Sequence, residues 1–132
     1  MGQQLFRGGG GNRNKSIVVA LGVADTGGGV VSIANPEGVE ILITEVILTV
    51  GTVATGACTL DIGVATDGTT LSDTIIDGVD VNGATGKFDN INDKSTNGGR
   101  DRALASTEYI TASTASGAAA GLAGQLVVNY VM

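Results

Sequence analysis

The chain has 132 residues and a formal net charge of −6, and its composition excludes several classes of function. It contains 22 glycines, one proline, one cysteine, and neither histidine nor tryptophan, while 42% of its residues are hydrophobic. The acidic balance argues against nucleic acid as the main partner, because phosphate binding needs a basic surface. One cysteine without histidine excludes an internal disulfide and a zinc site built from these two residue types.

The first 15 residues differ from the rest in charge and glycine content. They carry +3 and no acidic residue, so the remaining 117 residues carry −9. Four successive glycines at 8–11 bring high backbone entropy and no side chains. We therefore expect a flexible basic arm over residues 1–15, followed by one domain over residues 16–132. The arm offers two apolar anchors and three basic groups to a partner: Leu5, Phe6, Arg7, Arg13 and Lys15.

Beyond the arm, short apolar runs alternate with glycine and polar clusters at intervals near ten residues. This spacing is typical of an all-β sandwich or barrel. We predict an antiparallel two-sheet sandwich with little helix, because glycines interrupt the alanine-rich stretch near residue 118. The predicted strands, in chain order, cover residues 16–24, 29–34, 38–50, 56–66, 106–115 and 119–131.

The third predicted strand contains VEILITEVILTV, which is apolar at odd and even positions alike. Such a strand is either covered on both faces or shifts its register at a bulge near Glu45. Burial of both faces in so small a protein would indicate a subunit contact. Glu45 also interrupts the longest apolar run, so no run reaches the roughly 18 residues of a membrane span, and no membrane partner is expected.

The fourth predicted strand shows the clearest alternation. Thr59, Asp61 and Gly63 share one face, which we predict to be exposed to solvent. The opposite face is predicted to join the core and consists of Cys58, Leu60, Ile62 and Val64. Because Cys58 alternates with core residues, we expect a buried, inert thiol.

The last two predicted strands are expected to form a hairpin through the sequence SGA, with Leu126, Val128 and Tyr130 on one face. Before them, residues 67–105 lose strand periodicity, apart from a short apolar piece at 74–76. We predict one long loop over this segment. A loop of such length is normally functional or part of an interface.

Within this loop, IIDGVDVNGATGKFDNINDK has the composition both of a calcium loop and of sharp surface turns. Alignment to an EF-hand places Gly78 at the first position, where a carboxylate is required, so an EF-hand is excluded. A looser calcium site using Asp77, Asp80 or Asp89 stays open. The favoured alternative is a series of turns, in which Asp and Asn bond their own backbone and glycine takes positive φ.

No motif indicates catalysis, and we expect neither enzyme activity nor a cofactor. Without histidine, the hydroxyls and Cys58 lack the usual base for nucleophilic attack. The sequence GATGK around Lys87 lacks the remaining residues of a phosphate-binding loop. In NGGRDR, Arg100 and Arg102 form either a solvated turn or a clamp for a neighbour's carboxylates.

The run CTLDIGVATDGTTLSDTIIDGVDVNGATGKFDNINDKSTNG, followed by STEYITASTASGAAAGLAGQLVVNYVM, resembles small virion proteins of tailed bacterial viruses. The resemblance covers roughly residues 17–132 and is carried by the pieces IDG, GKFDNI and ITASTASGA. It implies a jelly roll and a capsid decoration or cement protein, commonly trimeric, on the outer surface of the head. Such a protein is made in the host cytoplasm and ends on the virion.

The resemblance implies that the partners are the major capsid protein and further copies of this chain, and it brings no catalytic residues. The residues expected to contact the capsid are Leu5, Phe6, Arg7, Arg13, Lys15, Arg100 and Arg102. The alternative function is a carbohydrate-binding or tail-fibre-like adhesion module of a virion. That function needs exposed aromatic side chains in a concave site, and it could use a calcium ion held by residues 77–93.

Overall fold

A computed structural model describes residues 14–22 and 29–132 of the chain, and these two ranges contain strands but no helix. The all-β prediction is therefore confirmed. The nine strands are β1 (Asn14–Ala20), β2 (Gly29–Ala34), β3 (Ile41–Thr52), β4 (Cys58–Ala65), β5 (Ile76–Asp80), β6 (Gly86–Asp89), β7 (Arg102–Leu104), β8 (Tyr109–Gly117) and β9 (Ala123–Val131).

The strands form two antiparallel sheets, as predicted. Sheet A has the order β1-β9-β3-β6, with β7 also paired to β3, and sheet B has the order β2-β8-β4-β5. Most strands that follow one another along the chain lie in opposite sheets, so the chain repeatedly crosses the core. This order is compatible with the predicted jelly roll, in which two Greek keys build paired four-stranded sheets.

The core lies between the facing sides of the two sheets. Leu126, Val128 and Tyr130 share the buried face of β9, as predicted, and Cys58 is a buried free thiol whose pKa is raised by burial. The largest fully buried side chains are aliphatic and come from both sheets and their connections: Ile43, Leu48, Leu60, Ile62, Ile75, Ile76, Leu104, Ile110, Leu122 and Leu126.

A bulge in β3 explains why that strand is apolar at both parities. The pairing of β3 with β9 shifts between Ile43 and Glu45. Before the shift Ile41 and Ile43 are buried, and after it the even-numbered residues from Val46 to Val50 are buried. The predicted bulge near Glu45 is thus the correct alternative. Since one face of β3 is buried by its own chain and the bulge explains the change of parity, the apolar residues at both parities do not by themselves require burial of both faces.

The predicted hairpin between the last two strands is wrong. β8 pairs with β2 and β4 in sheet B, whereas β9 pairs with β1 and β3 in sheet A. Ala119 and Leu122, in the segment that joins them, are buried in the core. The chain therefore passes from one sheet to the other across the end of the sandwich, because burying these side chains competes with a tight turn within one sheet.

The segment predicted as one long loop contains three short strands. β5 extends sheet B beyond β4, while β6 and β7 pair with successive parts of β3. These strands have five, four and three residues, and Gly78 within β5 has a φ of 75° that breaks simple alternation. Because these strands are short and polar, they lack the alternation of apolar and polar residues by which a strand is predicted from sequence.

Asn90 fills the gap on β3 between the parts that pair with β6 and β7. Its Oδ1 accepts a hydrogen bond from the Val46 amide at 2.9 Å, and its own amide donates to the Val46 carbonyl at 3.3 Å. Its Nδ2 donates to the carbonyls of Gly99, at 3.1 Å, and Arg100. Asn90 is almost completely buried, and its side chain bonds backbone groups of two segments that would otherwise lack partners.

We predict that Asn90→Ala lowers the free energy of unfolding by about 3 kcal/mol, because it leaves a buried amide and two carbonyls without their partner. Asn92→Ala is the matched control, since Asn92 is exposed and its side chain bonds only Asp89. The control should change stability by less than about 0.5 kcal/mol. Urea denaturation measures both, and equal losses would contradict the role given to Asn90.

Candidate functional site

The aspartates of the predicted turn region mostly bond their own backbone. Asp80 Oδ1 accepts from the amides two and three residues ahead, at 2.8 and 3.1 Å, and Asp89 Oδ1 does the same at 2.8 and 2.7 Å. The backbone hydrogen bonds, that from Asn92 foremost, lower the pKa of Asp89. The turn alternative is therefore confirmed for these two residues, and within residues 14–22 and 29–132 neither belongs to a group of converging acidic residues.

Three other carboxylates do converge. Asp61 on β4, Asp73 in the segment before β5, and Asp77 on β5 each offer an oxygen, and these oxygens lie within 4.8 Å of one another. Asp77 belongs to the looser calcium site that the sequence left open, whereas Asp61 and Asp73 do not. We call these three residues the aspartate cluster.

The chain between β4 and β5 creates the cluster by covering the outer face of sheet B. A side chain at Gly63 would collide with Ser72 and the Thr74 amide, Thr74 Oγ1 accepts from the Val64 amide at 3.0 Å, and Thr111 Oγ1 donates to the Thr70 carbonyl at 2.9 Å. The prediction that this face of β4 meets solvent is therefore wrong. Asp61 is only 6% exposed because its own chain folds over it.

Burial makes the cluster electrostatically unfavourable. It raises the pKa of Asp61, the charges of Asp77 and Asp73 raise it further, and the hydrogen bond from the Gly78 amide opposes them. That hydrogen bond, to Asp61 Oδ1, measures 2.8 Å. The structure thus holds a buried carboxylate beside two others, with one backbone amide as its partner.

The cluster has the donor type that calcium prefers but too few donors. Calcium takes roughly six to eight oxygens, and the cluster supplies three carboxylates. Two of them already accept hydrogen bonds from Asn97: its side chain donates to Asp73 at 3.1 Å and its amide donates to Asp77 at 3.2 Å. These bonds tie the segment before β7 to the outside of sheet B, so a structural role accounts for the contacts.

Beside the cluster lies an open surface depression of about 400 Å³. Its lining combines carboxylates and an amide with one aromatic ring, and includes Asp77, Asp80, Phe88, Asn92 and Asp93. Such a surface can bind polar or cationic groups. Its one hydroxyl, that of Ser95, makes no hydrogen bond to a carboxylate among the described residues, so the depression does not form the constellation that acyl or phosphoryl transfer requires.

The predicted capsid contacts have different positions. Leu5, Phe6, Arg7 and Arg13 lie outside the described residues. Lys15 belongs to β1, so the last two residues of the predicted arm are part of sheet A.

Lys15 is also engaged within the domain. Its Nζ donates to Glu37 Oε2 at 2.9 Å, and the Tyr130 hydroxyl donates to the same oxygen at 2.6 Å. Burial, with the bond to Glu37, raises the pKa of Tyr130 to about 12. The ion pair with Glu37 joins β1 to the turn before β3 within the domain.

The two predicted clamp arginines are not equivalent. Arg100 is exposed and is free to meet a partner on the loop before β7. Arg102 lies on β7, where its guanidinium donates to the Thr74 carbonyl at 3.3 Å and its Nε is buried without a partner among the described residues. The two arginines therefore do not lie together on one loop, because Arg102 belongs to β7.

The outer face of sheet A carries an aliphatic surface that the sequence analysis did not single out. Cross-strand pairing aligns Val18 with Val127 and Ile47, and aligns Val131 with Leu42. Val18 is 60% exposed and Leu42 is 39% exposed. We call these five residues the aliphatic face.

Charge lies at one edge of the aliphatic face, where Asp89 on β6 is paired with Ile47 and Lys87 with Thr49, and it is scarce elsewhere on the face. Of the outward-facing side chains on β1, β9 and β3, only Glu45 is charged, and its Oε1 accepts from Asn129 Nδ2 at 3.2 Å. Depletion of charge around exposed apolar side chains is typical of protein interfaces. The signal was present in VEILITEVILTV, because a bulged strand with one buried face must leave its other apolar residues outside.

Comparison with protein-family models, curated proteins and solved structures yields no match for this chain. In residues 14–22 and 29–132, no helix has the length and apolarity that a membrane crossing demands. The fold and surfaces define a two-sheet β-sandwich with an aliphatic face on sheet A and an acidic depression beside sheet B.

We predict opposite effects for two substitutions of Asp61. Asp61→Asn keeps an oxygen for the Gly78 amide, removes a buried charge and should raise the melting temperature at pH 7. Asp61→Ala leaves that amide without its partner and should cost about 1–3 kcal/mol. Both melts are run with a chelator, so that no added cation contributes.

The pH dependence of this effect has a defined sign. Because the folded pKa of Asp61 is raised above its ordinary value of 3.8, its contribution to stability is present below that value and is lost as pH rises through the folded pKa. The advantage of Asp61→Asn should therefore grow on going from pH 3.5 to pH 7. An advantage that is constant or shrinks with rising pH would contradict the assignment.

Proposed function

We propose that this chain is a virion structural protein, a capsid decoration or cement protein that binds the outer surface of a head through the outer face of sheet A. The observation that carries the proposal is the aliphatic face, an exposed apolar surface on a protein with a net charge of −6. Exposed apolar patches on soluble proteins mark interaction sites. The resemblance to virion proteins supplies the kind of partner.

The geometry suits a surface that repeats. The aliphatic face has two short rows of side chains, so one contact is weak, but an array of identical positions gains strength from many contacts. The partners proposed are the major capsid protein and neighbouring copies, with a homotrimer as the expected assembly. Arg7 and Arg13 of the arm and the exposed Arg100 would meet acidic groups of the shell.

The test compares two leucines that are exposed on opposite sides of the sandwich. Leu42 belongs to the aliphatic face, and Leu71, which is 46% exposed, lies on the segment that covers sheet B. We predict that Leu42→Lys weakens binding at least tenfold, because a lysine would have to lose its hydration at the contact. Leu71→Lys should bind like the wild type.

Binding is measured by cosedimentation with heads of the encoding virus, assembled without this protein. Circular dichroism confirms that both variants remain folded. The wild type should saturate at a copy number that matches a lattice position. Failure of the wild type to bind heads would overturn the function, and equal binding by both variants would remove the aliphatic face from it.

One observation favours the alternative of a sugar-binding or adhesion module. The acidic depression sets Phe88 among aspartates and Asn92, and sugar sites combine an aromatic ring with carboxylate and amide groups. A glycan array tests this alternative directly. Binding that Phe88→Ala abolishes, together with failure to bind heads, would establish it in place of the capsid role.

A further inference from the structure

We propose that the outer face of sheet A recognises a partner surface in which one basic side chain, of arginine or lysine, is surrounded by apolar side chains, and that Glu45 binds this basic group. The proposal rests on the proposed function, because it takes the aliphatic face to be the contact surface. It adds the chemistry that the partner must present.

Glu45 belongs to a row of polar side chains that crosses three strands. Ser16 on β1 and Glu45 on β3 are both paired with Asn129 on β9. We call these three residues the polar row. It lies between the two rows of the aliphatic face, because Val127 and Val131 are each two residues from Asn129 along β9, about 7 Å away. A surface that covers both aliphatic rows therefore also covers Glu45.

Hydrogen bonds along the polar row hold the Glu45 carboxylate in place. Ser16 Oγ donates to Asn129 Oδ1 at 2.6 Å, and Asn129 Nδ2 donates to Glu45 Oε1 at 3.2 Å. These bonds fix the orientation of the Asn129 amide, which accepts on one side and donates on the other. Within residues 14–22 and 29–132, Glu45 Oε2 has neither a hydrogen bond nor an ion pair, so it can accept from a donor of the partner.

A partner without a basic group would leave the charge of Glu45 buried and unpaired. Glu45 is half-buried in the domain itself, and an apolar surface laid over both aliphatic rows would remove the water that remains around it. Burial of an unpaired carboxylate is strongly unfavourable. A basic side chain in the partner offsets this cost, because it forms a charge-assisted hydrogen bond with Oε2.

The charges on β6 do not have the same position. Asp89 is paired with Ile47 on an edge strand of the sheet. Its Oδ1 accepts from the amides of Ile91 and Asn92, and its Oδ2 accepts from the Asn92 side chain, so both oxygens already have donors. Lys87 is exposed on the same strand. Charges at the margin of a contact keep more of their water and mainly affect the rate of association.

The position of Glu45 also disfavours a second copy of this chain as the partner. Two copies packed through the centre of this face would bring their Glu45 carboxylates together, and like charges across a contact oppose binding. We therefore assign the basic group to a different protein, which under the proposed function is the major capsid protein.

The test uses the full chain with two substitutions of glutamate by glutamine. Glu45→Gln keeps an oxygen for Asn129 and removes the charge. Glu40→Gln is the matched control, because Glu40 is exposed before the start of β3 and outside the polar row. Binding to heads of the encoding virus, assembled without this protein, is measured by cosedimentation. Circular dichroism confirms that both variants remain folded.

We expect Glu45→Gln to weaken binding at least tenfold and Glu40→Gln to bind like the wild type. The direction of the change is decisive, because loss of a charge would strengthen binding to a purely apolar partner. Equal or tighter binding by Glu45→Gln, or an equal loss in Glu40→Gln, would overturn this inference and leave the proposed function standing.

Two further outcomes have separate meanings. Failure of the wild type to bind heads would overturn the proposed function and this inference together. Self-association of the free protein that Glu45→Gln strengthens, measured by sedimentation velocity, would assign the face to a second copy and would overturn the inference.

Discussion

The hydrogen bonds between Asn90 and Val46 complete the pairing of β3, the strand to which β9, β6 and β7 are all paired in sheet A. At the bulge in β3, the pairing with β9 shifts, and the other edge of β3 would lose its partner between β6 and β7. Asn90 occupies that position with its own backbone and its side chain. Without it, buried backbone groups would stay unpaired, which costs more than a typical hydrogen bond contributes.

The same bulge gives the two sheets different outer faces. It moves the buried residues of β3 from odd to even positions, so that Leu42 and Ile47 both point outward although they have opposite parity. Sheet B has its outer face covered by the segment before β5, which approaches so closely that position 63 must be glycine. The domain thus covers one outer face itself and leaves the other available.

The sequence predicted whatever depended on local periodicity. The spacing of apolar runs predicted the all-β class and the positions of six strands, and the double parity around Glu45 predicted the bulge as one of two alternatives. It could not predict pairing partners. β8 and β9 are neighbours in sequence but lie in different sheets, because burying Ala119 and Leu122 places their connection across the core. Asp61 was wrongly predicted to be exposed, because the segment that covers it has no strand periodicity and its position could not be predicted. The nearby Gly63 was the available signal that another backbone segment approaches β4 closely.

The distribution of charge also distinguishes the two outer faces. Seven of the 13 acidic residues lie between positions 67 and 101, and three of them, Asp77, Asp80 and Asp93, line the acidic depression. The outward side of β1, β9 and β3 carries Glu45 alone. Like charges keep free copies from approaching through the acidic side, whereas the outer side of β1, β9 and β3, with one charged residue, gives up less hydration on contact. Under the proposed function, a partner would meet sheet A, where the desolvation cost is lower. The bulge in β3 contributes to that surface by bringing Leu42 and Ile47 to the same outer face.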